Sequence, residues 1–193
     1  MSNKDQLTPE EGRYLLKVAR QTIEQELSGK SAQALLEPVL PSTKFGDPRG
    51  TFVTLTINHG LRGCIGHIIP QETLLEGVKE NAINAAFRDP RFHPLSKKEF
   101  AQIKIEVSIL TEPKPLVYVN ADDLLKKIRP GVDGLIIKKD YHQATFLPQV
   151  WEQLPDAKGF LEHLCMKAGL DADEWKKGKL EVQTYQVQAF EED

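Results

Sequence analysis

The sequence predicts an α+β fold: a mainly antiparallel, barrel-like sheet with flanking helices, built from two β-β-α-α-β repeats. Three observations carry this reading. Short segments that alternate apolar and polar residues come in pairs around turn signals, as hairpins do. Longer segments with apolar residues three and four apart begin on capping residues and end on glycine or proline, as helices do. The order hairpin, helices, long strand occurs twice along the 193 residues, giving approximate halves 1–112 and 113–193 of a single domain spanning 1–193.

The first element is a helix announced by Thr8-Pro9-Glu10-Glu11, where a threonine cap, a proline at the first helical position and a glutamate three residues on form a capping box. Leu15, Leu16, Val18, Ile23 and Leu27 then recur at helical spacing until Ser28-Gly29. Residues 38–50 carry three prolines and two glycines and are expected to be irregular. Thr51 to Ile57 and Arg62 to Ile69 read as two strands around the turn Asn58-His59-Gly60, so 51–69 is a hairpin. After Pro70, the spacing of Leu74, Leu75, Val78, Ala82, Ile83 and Ala86 predicts a helix that Asp89-Pro90 ends. A short helical piece near Ser96 to Phe100 precedes a strand over 102–110, where Ile103, Ile105, Val107 and Ile109 alternate with polar residues. In the second half, a helix near Ala121 to Ile128 leads to a hairpin over 134–147 turned at Asp140-Tyr141. Helical segments at 148–152 and 157–168 follow, the latter capped by Gly169. A long strand over 179–190 closes the chain.

Composition narrows the function classes. With 40% hydrophobic and 27% charged residues, the chain is an ordinary globular sequence and not a disordered, collagenous or coiled-coil one. Twenty-five Lys and Arg against 28 Asp and Glu give a net charge of −3, which lacks the footprint of a general nucleic-acid binder, so nucleic acid is an unfavoured partner. The polar opening MSNKDQLTPEEGR and the absence of 18 consecutive apolar residues argue against a signal peptide or a membrane span, and the expected location is the cytoplasm. Only two cysteines, Cys64 and Cys165, are present, too few for a disulfide framework. No metal is expected: His59, His67 and His93 lack ligand spacing with Cys64, and His67 has the opposite strand parity. No cofactor is expected either, because Gly60, Gly63 and Gly66 match neither the dinucleotide fingerprint nor a P-loop.

Two strings stand out. Leu61-Arg62-Gly63-Cys64-Ile65-Gly66 puts a thiol, a guanidinium and two glycines in one strand, where glycine needs a reason such as a bulge or a close backbone approach. Phe87-Arg88-Asp89-Pro90-Arg91-Phe92 puts two arginines and an aspartate on a proline-fixed turn that can present fork-shaped donors to a carboxylate or phosphate. Together they resemble the AMMECR-domain family, which includes protein A of the AmmeMemoRadiSam system. The likeness continues through Glu106-Val107-Ser108-Ile109-Leu110, Gly131-Val132-Asp133-Gly134, Ala144-Thr145-Phe146-Leu147-Pro148 and Leu164-Cys165-Met166-Lys167-Ala168-Gly169-Leu170, nearly the whole chain. The resemblance implies two lobes with a cleft, no established biochemical activity, and association with Memo-like or radical-SAM partner proteins.

Strand parity points to one site. If Val53, Leu55, Ile57, Ile65 and Ile69 face the core, then Thr54, Thr56, Arg62 and Cys64 face the other way, as do Glu106 and Ser108 on the later strand. In one reading this surface lines the cleft between the lobes and is a small-molecule or thiol-dependent enzyme site around Cys64. Cys64 is then the nucleophile or redox thiol, its thiolate favoured by Arg62, Glu106 the acid or base, and Arg62 the residue that orients a small anionic ligand. Gly63, Gly66, Arg88, Asp89, Arg91 and Ser108 complete the candidate ligand contacts. In the other reading Cys64 is a small packed residue, the arginines pair with local carboxylates such as Asp89, and the surface docks a pathway protein without catalysis. Cys165, on the apolar stripe of its helix, is a packing residue.

Overall fold

In a computed structural model that describes residues 6–29 and 42–193, helix α1 (Pro9–Ser28) starts where its cap residues place it. The Glu11 amide donates to Thr8 Oγ1 at 3.2 Å, the Thr8 amide donates to the Glu11 carboxylate at 2.7 Å, and Gly29 ends the helix at φ 63°. The positive φ is what a glycine tolerates and a β-carbon resists. Of the expected irregular stretch 38–50, residues 38–41 lie outside the described residues; Thr43–Gly46 forms one turn of 3-10 helix.

The hairpin β1 (Thr51–Ile57) and β2 (Gly60–His67) turns at Asn58 and His59, both at positive φ. Helix α2 (Leu74–Phe87), the short α3 (Lys97–Phe100) and β3 (Lys104–Leu110) follow. After β4 (Lys114–Pro115), the same sequence of elements recurs: α4 (Ala121–Lys127), the hairpin β5 (Gly134–Lys139) and β6 (His142–Phe146), α5 (Ala157–Lys167), then β7 (Glu181–Tyr185) and β8 (Val187–Glu191). The strands form two four-stranded sheets, ordered β2-β1-β3-β8 and β4-β7-β5-β6. The predicted duplication is therefore visible as matching orders, β2-β1-β3 in one sheet and β6-β5-β7 in the other. The outer place in each is taken by the strand that follows the other repeat: β8 in the first sheet, β4 in the second.

The expected α+β architecture of antiparallel strands with flanking helices is present, barrel-like only in a loose sense, and one element needs correction. The sheets do not close into a barrel. Each buries one face under its own helices, so two separate cores form, one around Leu15, Ile23, Val53, Leu55, Val78, Ile105 and Val107, the other around Leu124, Leu135, Ile137, Phe160, Leu164 and Val182. The long strand predicted over 179–190 is two strands in different sheets. At the break, the Thr111 amide donates to the Gln186 carbonyl and the Gln186 amide donates to Thr111 Oγ1, both at 2.9 Å. Both backbone groups of Gln186 are thus removed from ladder pairing. Contacts divide the chain accordingly into two units, Met1–Leu110 with Gln188–Asp193, and Thr111–Val187. Among the described residues no helix is long and apolar enough to cross a membrane.

In the first unit, β1 lies between β2 and β3, with Val53 opposite Ile65 and Val107, and Leu55 opposite Gly63 and Ile105. This face packs on α1 and α2, and burying each Val, Leu or Ile there contributes about 1.5–3 kcal/mol. Gly63 is required by that packing, because a β-carbon on it would lie 2.2 Å from the Ala85 carbonyl oxygen of α2. Replacing Gly63 with Ala should therefore push strand and helix apart and lower stability by about 2–3 kcal/mol. Gly46→Ala, with no atom within 4 Å of the added carbon, should change the unfolding free energy by only a few tenths of a kcal/mol.

Candidate functional site

The side chains singled out in the sequence gather around β1 on the face away from α1 and α2. Thr54 pairs across the ladder with Cys64 on one side and Glu106 on the other; Phe52 pairs with Gly66 and Ser108. Cys64, Thr54 and Glu106 thus form one row, and Gly66, Phe52 and Ser108 the next, since residues two apart share a face. Thr54 and Cys64 are a pair whose backbones do not bond each other, the arrangement that brings facing side chains closest. Accordingly Thr54 Oγ1 donates to Cys64 Sγ at 3.3 Å. Glu106 stands one strand beyond Thr54, about 10 Å from Cys64 by two strand spacings, and its carboxylate accepts a hydrogen bond from Ser108 Oγ at 2.9 Å. Ser108 is buried and Glu106 half-buried.

The backbone of Cys64 is held from outside the sheet. Strand β2 is an edge strand, and the outward amide of Cys64 donates to Asp89 Oδ2 at 2.9 Å while Arg91 Nη2 donates to the Cys64 carbonyl at 3.1 Å. Asp89 also accepts from the Arg91 amide at 3.1 Å, Arg91 Nε at 2.9 Å and Arg91 Nη2 at 2.7 Å. The Asp89 side chain is 1% exposed. The Arg91 guanidinium first, then the Cys64 and Arg91 amides, holds its carboxyl well below the usual carboxylate range against the cost of burial. The two sequence strings are therefore one structure: the aspartate turn after α2 is clamped onto the cysteine strand. This arrangement also blocks an edge that would otherwise offer a free ladder.

Arg62 is placed differently from the expectation that it orients a ligand beside Cys64. The register slips between Leu55, opposite Gly63, and Thr56, opposite Leu61, leaving Arg62 as the extra residue of a bulge. Its Nε and Nη2 bond Glu99 at 2.8 and 3.3 Å, Nη2 also bonds the His93 carbonyl at 2.8 Å, and its side chain is only 11% exposed. Arg62 and the Ser96 amide hold the Glu99 carboxyl down at about 2. Phe92 packs against Arg62 and Arg91 alike, each guanidinium carbon 5.6 Å from its ring centroid. Arg88 is exposed and bonds Asn84 on its own helix at 3.1 Å.

Sequence reasoning missed Glu99 as the partner of Arg62. The available signal was Ser96-Lys97-Lys98-Glu99, a capping box whose glutamate accepts from Ser96 at 2.9 Å and still has an oxygen to share. It also missed Thr54 as the hydroxyl bonded to the thiol, which the hairpin register could have supplied. His67 lies opposite Thr51, on the other face from Cys64, with Nε2 2.7 Å from Glu72 Oε1. Among the described residues no three His, Cys, Asp or Glu side chains are grouped to hold a metal. Cys165 is fully buried, and burial pushes its thiol up.

The two depressed carboxyls give stability a defined acid limb. Their ordinary values are 3.8 for Asp89 and 4.5 for Glu99, so their contribution is complete above those values and is lost as pH falls through the lower folded-state ones. The melting temperature should fall between pH 5 and 2, and Glu99→Gln should flatten that fall. Asp89→Ala should cost about 3 kcal/mol at neutral pH, since it strands a cation and a buried amide.

Comparison with known proteins accords with this architecture. The AMMECR1 family model matches residues 16–190. A Methanosarcina mazei protein is 46% identical over 188 residues, covering 96% of this chain and 94% of the relative. A Methanothermobacter thermautotrophicus protein is 43% identical, covering 97% of each. The crystal structure of an uncharacterised Pyrococcus horikoshii protein superposes with a TM-score of 0.83 at 34% identity, covering 97% of this chain and 94% of that one. With its fold, its paired LRGCIG and FRDPRF strings and these relatives in agreement, the chain belongs to the AMMECR1 family.

Proposed function

We propose that this protein binds a small molecule over the β2-β1-β3 face and acts on it through the Cys64 thiol. The observation that supports this is the double fixation of Cys64. Its amide and carbonyl are held by Asp89 and Arg91, and its sulfur accepts a hydrogen bond from Thr54. A packed cysteine needs none of these; a nucleophile needs its sulfur held in one direction. Thiolate is the reactive species of a nucleophilic cysteine. Glu106, across Thr54 from the thiol, is placed to meet the far side of a bound molecule as its acid or base.

The test compares the two cysteines in the native protein. Cys64 is partly exposed and Cys165 buried, so iodoacetamide should label Cys64 at least tenfold faster. Cys64→Ser should abolish thiol-dependent turnover while leaving the melting temperature within a degree or two. If Cys64 labels no faster than Cys165 until the chain unfolds, it is a packing residue. If it labels readily yet Cys64→Ser changes only the capture of a Memo-like or radical-SAM protein, the surface is a docking site.

A further inference from the structure

We propose that the molecule engaged at Cys64 carries an oxyanion, a carboxylate or phosphate, that docks on the free Nη1 of the Arg91 guanidinium. This rests on the Cys64 reading and names the substrate class of the same site. Three arginines lie in or beside the two strings, and only one combines access with fixed position. Arg62 spends Nε and Nη2 on Glu99 and the His93 carbonyl, and its remaining Nη1 is buried. Arg88 is exposed but bonds only Asn84 of its own helix. Arg91 uses Nε and Nη2 on Asp89 and Cys64, its Nη1 makes no hydrogen bond among the described residues, and its side chain is 54% exposed.

The remaining Nη1 is a preorganised donor to an anion. A guanidinium has five N–H donors in a plane, so bonding through Nε and Nη2 leaves Nη1 able to take a second carboxylate or a phosphate. Because Asp89 already fixes the side chain, binding there costs little rotamer freedom. The Asp89 charge does not cancel the site: it is spread over four donors, two of them backbone amides whose dipoles add positive potential. Position links the guanidinium to the thiol, since Arg91 bonds the carbonyl of Cys64 itself at 3.1 Å. An anion on Nη1 would thus hold an attached electrophilic carbon near the sulfur.

The test uses two alkylating probes of nearly equal size, anionic iodoacetate and neutral iodoacetamide. In both, the thiolate sulfur bonds the CH2 carbon and iodide leaves with the bonding pair. Arg91 should raise the iodoacetate-to-iodoacetamide rate ratio at Cys64 at least fivefold above that of the same residue in the urea-unfolded chain. Acetate and inorganic phosphate should each slow iodoacetate selectively, the stronger competitor showing which oxyanion the site prefers. Arg91→Gln should return the ratio to the unfolded value, and Arg91→Lys, which keeps the charge but cannot bridge two oxyanions, should lower it by at least half. The wild-type ratio and the anion competition need no variant, so they remain decisive if Arg91→Gln folds poorly. A ratio equal to that of the unfolded chain, with Cys64 still labelled by iodoacetamide in the folded protein, overturns the anion site and leaves the thiol reading standing. Failure of both probes to label folded Cys64 overturns the two together.

Discussion

The first unit depends on one buried carboxylate. Asp89 joins the turn after α2 to the edge strand β2 by accepting four hydrogen bonds, one from the Cys64 amide and three from Arg91. A carboxylate that is 1% exposed survives only with its oxygens fully occupied, so the aspartate, the arginine and the strand amide must be in place together. Pro90 fixes the backbone between the two charged residues, and Gly63 lets α2 approach closely enough for the turn to reach the strand. The features that make the two strings unusual as sequence are thus conditions of one contact.

That contact makes an edge strand suitable for chemistry. An edge residue ordinarily has one row of backbone groups in water and moves accordingly. At Cys64 both groups on that side have partners, while the side chain keeps partial exposure and a hydroxyl donor. The helices pack on the opposite face, where Val53, Leu55, Ile105 and Val107 are fully buried. Stability is supplied on one side of the sheet, leaving the other free to carry polar residues.

What the sequence made legible follows from the range of each interaction. The helix cap at Thr8, the glycine stop at Gly169 and the two hairpins are set by residues within four positions of one another, and they appear close to where the patterns place them. The row Cys64, Thr54, Glu106 was legible as parity, because a period of two survives any unbroken strand. Arg62 shows where this fails: one extra residue opposite Leu55 and Thr56 breaks the parity count, and its partner Glu99 lies 37 residues away. The division of 179–190 into β7 and β8 is set by Thr111, 75 residues from Gln186. An alternating pattern cannot reveal that its two ends belong to different sheets.

Amide hydrogen exchange at Cys64 tests most directly whether Asp89 fixes the cysteine strand. The outward amide of an unsupported edge strand exchanges quickly. In the native protein the Cys64 amide should instead exchange as slowly as the β1 amides inside the sheet, and Asp89→Asn should speed it at least a hundredfold while leaving the β1 amides within tenfold of their original rates. Rapid exchange at Cys64 in the unaltered protein, or a rate unchanged by Asp89→Asn, would contradict the account.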